Sequence, residues 1–384
     1  MDAFGRSPLT RTCRPNRRLH RRGMALVAAA ASFAGVAGAT AQTTAQAPAV
    51  LEPVIVLGCA DCNGPELFGA IQHIALDPGR GHVAIADDAA PRIRLFSLDG
   101  SFIGSAAAEG DGPGEARSVH GIWFTDAGGL LFIDTRRQQL TELDAERRIV
   151  GTTRLPGFPA AMAYERSRDA VVMGVVDFLR NTVSIQRWQR ASAAFTTLRE
   201  SISPPVTDAE GGPALFVAFA SRPSGGFVAG ESTVYRIWSF TATGEDGSVT
   251  WSRDVQRSRR TPQEISTARD RQQAAFQRLN GRRANPEGAP PRPEIDPLRR
   301  HFYGDAFAFD DKDRLWVRAG RSAGTQRSVF DVFDPAGAYL GEVAVPVRLA
   351  QEGRTFVIQG DLLAAVILDE LDVPTVSVWR IRTP

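Results

Sequence analysis

Large apolar residues recur along the chain in a fixed triplet. One apolar residue is followed by another three positions later, and often by a glycine four positions beyond that. The six triplets are Ile93/Phe96/Gly100, Leu140/Leu143/Arg147, Ile185/Trp188/Ser192, Ile237/Phe240/Gly244, Phe330/Phe333/Gly337 and Val376/Trp379/Thr383. Their first members are 47, 45, 52, 93 and 46 residues apart, so one unit repeats and one interval is doubled.

Most triplets follow a pair of short apolar runs that are joined by a polar turn. Examples are "HIALDPGRGHVAIAD" before the first triplet and "GIWFTDAGGLLFID" before the second. Adjacent positions within a run are both apolar, as in "LLFI" at 130–133, which indicates strands buried on both faces. Four short strands per repeat are typical of a propeller blade. The sequence therefore predicts an all-β protein, a six-bladed β-propeller of four-stranded antiparallel blades with one α-helical insertion.

The stretch "EGDGPGEA" at 109–116 lies between the first two predicted blades. A phosphate-binding loop would lead from a strand into a helix, because the helix N–H groups must face the anion. Another β-rich run follows instead. The glycines are then expected to supply the backbone angles of a connection between blades.

Several of these stretches resemble a known family. "GDGPGEA" resembles the GxGPGE element of secreted bacterial six-bladed β-propellers of the NHL/TolB-like kind. "RLWVRAG", "FDVFDPAGAYLGEV" and "DELDVPTVSVWRI" resemble the last two blades of such proteins. The resemblance covers most of the chain after residue 41. It implies the fold and says little about function.

Residues 253–301 account for the doubled interval. Thr261 as N-cap, Pro262 at the first helical position and Glu264 in a capping box predict a helix that ends at Gly281. Its apolar stripe is Ile265, Ala268, Ala275, Phe276 and Leu279, and the Pro-rich "NPEGAPPRPEIDP" follows. Twelve arginines and six acidic residues make the segment basic. Two hypotheses stay open: a helix docked on one propeller face, or a lid whose arginines meet an anionic ligand at the channel mouth.

The first 41 residues are typical of an export signal. Seven arginines precede "ALVAAAASFAGVAGATAQ", an apolar region that ends in an A-x-A site at Ala39–Ala41. That region is too short and too rich in Ala and Gly for a stable membrane span. We expect cleavage near Ala41, a propeller domain over 42–384, and a periplasmic or extracellular location.

The charge balance changes once this segment is set apart. Residues 1–41 carry seven of the 45 basic and one of the 43 acidic residues, so the remainder has a net charge of −4. The basic character therefore belongs to the signal, and nothing indicates a nucleic-acid partner.

Two cysteines remain after the signal, Cys59 and Cys62 in "GCADCN". An even pair in an exported chain predicts a structural disulfide. The alternative is a redox-active pair, which would require a helix directly after the first cysteine, and Gly64-Pro65 interrupts the segment that follows.

The last predicted blade lacks an outermost strand, because the chain ends just after its third. The only unassigned β-rich run is "VLEPVIVLG" at 50–58. We predict that this N-terminal strand closes blade six beside "TVSVWRI". Pro53 is acceptable there because an outermost strand has one free edge.

Candidate site residues come from the inner strands. Alignment of "QHIALD" with "HGIWFTD" places His120 opposite Gln72, and Asp305 has the same phase in blade five. These three residues are the candidates for lining the channel. No paired-histidine spacing predicts a metal site, and no catalytic residue is identified. "GRSAG" at 320–324 matches a nucleophile motif, but it lies between two strands and no histidine follows it, so a hairpin turn is favoured.

Two functional hypotheses follow. The first is a binding or interaction module for a partner protein or a small ligand at the channel mouth. The alternative is a metal-dependent hydrolase or lyase, lactonase-like, with its site in the central channel. The sequence leaves the identity of any cofactor unknown.

Overall fold

Six small antiparallel sheets form a six-bladed β-propeller, as the sequence predicts. The structure is a computed structural model. It describes residues 48–89, 92–177, 182–202, 218–241, 243, 249–280, 294–302, 306–322, 325, 327–350, 356–368 and 373–383. Five sheets have four strands each, and the sheet of blade one has a short fifth strand.

The first three blades follow one another along the chain. Blade one contains β2 (Ile71–Asp77), β3 (His82–Asp87), β4 (Ile93–Ser97), β5 (Phe102–Glu109) and β6 (Glu115–Ala116). Blade two contains β7 (Val119–Phe124), β8 (Leu130–Asp134), β9 (Gln139–Leu143) and β10 (Ile149–Arg154). Blade three contains β11 (Phe158–Glu165), β12 (Ala170–Asp177), β13 (Thr182–Gln189) and β14 (Ala194–Ile202).

The last three blades include the insertion and the N-terminal strand. Blade four contains β15 (Ala218–Ser221), β16 (Phe227–Glu231), β17 (Arg236–Phe240) and β18 (Val249–Ser252), and helix α1 (Pro262–Asn280) follows it. Blade five contains β19 (Phe307–Phe309), β20 (Leu315–Arg318), β21 (Ser328–Phe333) and β22 (Tyr339–Val345). Blade six contains β23 (Phe356–Gln359), β24 (Leu362–Leu368), β25 (Pro374–Arg382) and β1 (Val50–Leu57).

The two apolar members of each triplet lie on the third strand of a blade, and the core lies between blades. Leu131 and Ile133 of β8, for example, pack in one cluster with Met173 of β12 and Trp188 of β13. Each sheet thus buries both faces against its neighbours, which explains why adjacent positions in a strand are both apolar.

The N-terminal strand closes the ring. β1 pairs antiparallel with β25, with Val50 opposite Arg382 and Leu57 opposite Val376. This is the pairing that the sequence predicts. The register shifts between Pro53 and Ile55, and β1 is the outermost strand, where a residue without an N–H is tolerated.

The glycine-rich stretch between blades one and two leads into a strand. β5 and β6 pair in parallel, and the carboxylate of Glu115 accepts a hydrogen bond from the Gly112 N–H at 2.7 Å. A Cβ atom at Gly110, where φ is +150°, would lie 2.0 Å from that carboxylate. The positive φ favours glycine here, and a larger residue would also displace the Glu115 carboxylate from its bond to Gly112.

Helix α1 begins as the sequence predicts. The Glu264 N–H donates to the Thr261 hydroxyl at 3.2 Å, and the Thr261 N–H donates to the Glu264 carboxylate at 2.6 Å. Arg299 donates to both oxygens of the same carboxylate, at 2.8 and 2.7 Å. At least one arginine of the insertion therefore holds the insertion itself together. Gly281 and the Pro-rich run at 285–293 lie outside the described residues.

Blades four and five are joined through one buried carboxylate. Asp331 of β21 accepts hydrogen bonds from Arg253 at 2.6 Å, from both Nη atoms of Arg321 at 2.8 and 2.7 Å, and from the Tyr235 hydroxyl at 2.9 Å. Burial and the neighbouring carboxylate raise the pKa of Tyr235 well above its usual value. Asp331 is fully buried, so these charge-assisted bonds link the two blades in a low-dielectric environment.

His301 lies beside this cluster, at the end of the insertion. Its backbone N–H donates to the Ser232 carbonyl at 2.8 Å, and its ring lies 5.4 Å from that of Tyr235. Burial, together with the charges of Arg257 and Arg321, lowers the pKa of His301.

No helix among the residues that the structure describes is long and apolar enough to cross a membrane.

Candidate functional site

A cavity of about 530 Å³ lies along the propeller axis. All six innermost strands, β2, β7, β11, β15, β19 and β23, contribute to its wall, together with the turns that follow most of them. Its volume is within the range of pockets that hold small molecules. It is therefore the candidate ligand site.

Aromatic side chains form part of the cavity wall. Trp123, Phe219, Phe307 and Phe356 come from four different inner strands, and Ala163 leaves space between larger side chains. Phe219 stacks on the buried Phe227. The aromatic wall is thus supported by the packing between blades, which holds its shape in place.

Polar residues concentrate at the end of the cavity where the inner strands finish. Arg166 stands in the turn after β11 and forms an ion pair with Asp126 of the neighbouring blade. It also donates to the Phe124 carbonyl at 3.2 Å, and its guanidinium lies over the Tyr164 ring at 5.7 Å. The side chain of Asp126 is 72% exposed, so this ion pair faces solvent.

Arg222 occupies a turn position that carries a capping side chain in two other blades. Thr125, Arg222 and Asp310 each donate their backbone N–H to the carbonyl four residues further on. The Thr125 hydroxyl and the Asp310 carboxylate also cap their own turns, accepting from Gly129 and Arg314 respectively, both at 3.0 Å. Arginine has no acceptor and cannot do this. The turn of blade four therefore lacks this side-chain cap. Its Arg222 guanidinium lies at the cavity mouth instead.

The guanidinium of Arg222 is firmly held. It donates to Asp313 at 2.6 Å and to the Ser239 hydroxyl at 3.3 Å. It also lies 5.4 Å from the centre of the Trp251 ring and 5.9 Å from that of Phe309. Such stacking fixes the plane of the guanidinium.

Two aspartates of the next turn line the same mouth and differ in their contacts. Asp310 is buried and accepts hydrogen bonds from Arg314 at 2.7 Å and from the Trp316 indole at 2.9 Å. Asp311 is exposed. Asp310 therefore serves the structure, whereas Asp311 faces the mouth.

Tyr164 closes the wall beside Arg166. Its hydroxyl donates to Asp169 at 2.5 Å. Burial and this carboxylate raise the pKa of Tyr164, so the phenol is neutral at physiological pH and acts as a donor.

The structure places two of the predicted channel residues on equivalent positions. Gln72 and His120 both stand where the register of the first two strands shifts, in blades one and two respectively. Gln72 donates to Asp88 at 2.9 Å, and the His120 ring contacts the Ser118 hydroxyl at 2.9 Å. Neither is among the residues that line the cavity, whereas His73 is. Asp305 lies outside the described residues. A joint channel site of these residues stays a prediction.

Two sequence motifs have structural roles. Cys59 and Cys62 form the predicted disulfide, in the connection between β1 and β2. Ser322 of "GRSAG" lies in a 3₁₀ turn, Gly320–Ser322, between β20 and β21. Its hydroxyl donates to the Ala319 carbonyl at 2.7 Å and accepts from the Val329 N–H at 3.3 Å. The hydroxyl therefore fastens a hairpin.

No group of three histidine, cysteine, aspartate or glutamate side chains with the geometry of a metal site occurs in the described part of the chain.

Comparison with known proteins supports the fold. No protein-family model matches the chain, and no curated protein matches its sequence. Among solved structures, it is similar to a predicted exported protein of Bacteroides fragilis, with a TM-score of 0.53, 10% identity, and 88% of this chain and 96% of that chain covered. A DUF4221-family protein of Bacteroides vulgatus has a TM-score of 0.52 and 10% identity, with 88% and 100% covered. A predicted gluconolactonase has a TM-score of 0.47 and 12% identity, with 87% and 99% covered. At these identities the similarity shows the fold alone.

Proposed function

We propose that this protein is an exported binding protein of the NHL/TolB-like propeller kind, which holds a small ligand in its central cavity. The cavity carries the proposal, because residues of all six inner strands line it and it combines several aromatic side chains in its wall with a polar mouth. An apolar body with a few oriented polar groups is the usual composition of a small-molecule site. Ring closure through β1 and β25 keeps the wall in one arrangement.

The polar groups at the mouth suit recognition. Arg222 is held by Asp313 of the next blade and by the Trp251 and Phe309 rings, so it is oriented before a ligand arrives. Arg166 lies over the Tyr164 ring and pairs with an exposed carboxylate of the preceding blade, that of Asp126. Preorganised groups lose little side-chain entropy on binding.

The test is to fill the cavity. The neutral fluorescent probe phenylnaphthylamine is titrated into the protein and into Ala163→Trp, in which the added indole occupies space inside the wall. We expect the affinity to fall by about ten-fold or more, which is at least 1.4 kcal/mol. The matched control is Val150→Trp on the outermost strand of blade two, where the side chain is exposed.

Equal affinities for the three proteins would contradict the proposal. If Ala163→Trp does not fold by circular dichroism, Ala163→Leu provides the same test with a smaller addition.

A further inference from the structure

The shape and the charge of the cavity together indicate which ligand it would take. Four aromatic side chains, Trp123, Phe219, Phe307 and Phe356, approach the axis from different blades. Aromatic rings pack well against other planar rings, in offset or edge-to-face arrangements. The wall therefore suits a flat aromatic body rather than a flexible polar chain.

Both arginines at the mouth retain hydrogen-bonding capacity. The side chains of Arg166 and Arg222 both line the cavity and are 35% and 18% exposed, so part of each remains accessible. A guanidinium has several N–H donors in one plane, so it can keep its present partner and still donate to an acceptor that a ligand brings.

The ion pair of Arg166 can be exchanged at small cost. Asp126 is largely exposed, and ion pairs that face solvent contribute little to stability. A ligand anion can therefore replace Asp126 as the partner of Arg166. Arg222 differs, because its bond to Asp313 is shielded: these side chains are only 18% and 16% exposed. It would serve as a fixed donor.

Two exposed carboxylates line the mouth: Asp126 opposes an anion once it leaves Arg166, and Asp311 opposes it throughout. Asp311 lines the cavity and is exposed, and a like charge weakens binding of a negative group nearby. The other aspartate of that turn, Asp310, is already compensated by Arg314. Removing the charge of Asp311 should therefore strengthen the binding of an anion.

We propose that the ligand is an aromatic anion, a planar apolar body with one carboxylate-like or sulfonate-like group that meets Arg166 and Arg222 at the cavity mouth. This inference rests on the proposed function, since it requires that the cavity is the binding site.

The test compares three naphthalene probes of different charge by titration calorimetry. They are anilinonaphthalene sulfonate, the neutral phenylnaphthylamine and the cationic naphthylmethylammonium. The variants are Arg166→Gln, Arg222→Gln and Asp311→Asn. The matched control is Arg168→Gln, which removes the same charge from the same turn, at an exposed residue that does not line the cavity.

We expect the sulfonate to bind more tightly than the neutral probe. Arg166→Gln and Arg222→Gln should each weaken sulfonate binding by about ten-fold and leave the neutral probe within about two-fold, because a charge-assisted hydrogen bond is lost. Arg168→Gln should change neither, and Asp311→Asn should tighten the sulfonate alone. If Arg222→Gln does not fold, Arg166→Gln carries the test, because its ion pair faces solvent.

Equal binding of the sulfonate and the neutral probe, with no effect of either arginine variant, would overturn the aromatic-anion assignment and leave the binding function standing. Preference for the cationic probe would do the same. Binding that is insensitive to Ala163→Trp for every probe would instead refute the proposed function itself.

Discussion

Closure of the ring by β1 predicts that one leucine outside the repeats stabilises the whole domain. Leu57 is 3% exposed and belongs to the cluster between blades six and one, with Phe68, Ile74 and Val376 among its members. The next residue along the strand provides the control. Val56 points to the other face of β1 and is 63% exposed.

The expected cost of Leu57→Ala is about 2–5 kcal/mol, the usual range when a buried leucine is truncated and a cavity remains. Val56→Ala should cost less than about 1 kcal/mol, because an exposed strand residue loses only β-propensity and some contact on its own face. The two substitutions are adjacent in one strand. A difference between them therefore reports burial at the seam between blades six and one, and not a general effect of changing β1.

The assay is equilibrium unfolding in urea, followed by far-ultraviolet circular dichroism and by tryptophan fluorescence. If the seam between blades six and one holds the ring, Leu57→Ala shifts one cooperative transition to lower urea and both probes still coincide. The slope of the transition should stay close to that of the unmodified protein.

Two results would refute this reasoning. Equal midpoints for the two variants would show that Leu57 contributes no more than a surface residue. A separate early transition in Leu57→Ala would show that β1 detaches on its own and that the ring does not depend on it.

Two further predictions concern the seam between blades four and five. Asp331→Asn should destabilise the protein by about 3–5 kcal/mol, because a buried carboxylate with two arginine partners is lost. The control is Asp334→Asn, whose carboxylate accepts from two backbone N–H groups in an exposed turn. This control should cost only about 1 kcal/mol. Similar urea midpoints for the two would contradict the role given to Asp331. The pKa of His301 in the folded protein lies below its ordinary value of 6.5, so the unfolded chain takes up the proton first and stability falls as the pH drops below 6.5. His301→Gln should reduce this loss between about pH 7 and 5, and an unchanged pH profile of the urea midpoint would show that another group is responsible.

The architecture could be predicted because each blade imposes the same physical requirement. A third strand packed between two neighbouring sheets needs large apolar side chains at fixed positions, as with Ile93 and Phe96 of β4, which are fully buried. Because every blade has this requirement, large apolar residues recur in the sequence once per blade. Closure could also be deduced, because blade six lacked one strand and a single β-rich run, now β1, was left to supply it.

The cavity residues could not be predicted in the same way. Which of two neighbouring residues lines the cavity depends on the register shift near the start of the inner strand, where His73 is included and Gln72 is not. A shift of one position reverses the face to which a strand residue points, and the sequence does not mark where the shift occurs.

The turns that carry the two arginines at the mouth differ from the corresponding turns of other blades. In blades two and five, Thr125 and Asp310 fasten the turn after the inner strand, so a polar residue there is a structural requirement. Arg222 breaks that rule in blade four. Arg166 follows β11 in a shorter turn, whose ends Glu165 and Ala170 pair directly. The capping side chain occurs in the turns of blades two and five, and in blade four Arg222 pairs instead with Asp313 of the next blade. A turn that differs from blade to blade leaves no period in the sequence, so the two arginines could not be found from the repeat. Both line one end of the shared cavity, which makes these turns the first place to test for ligand contact.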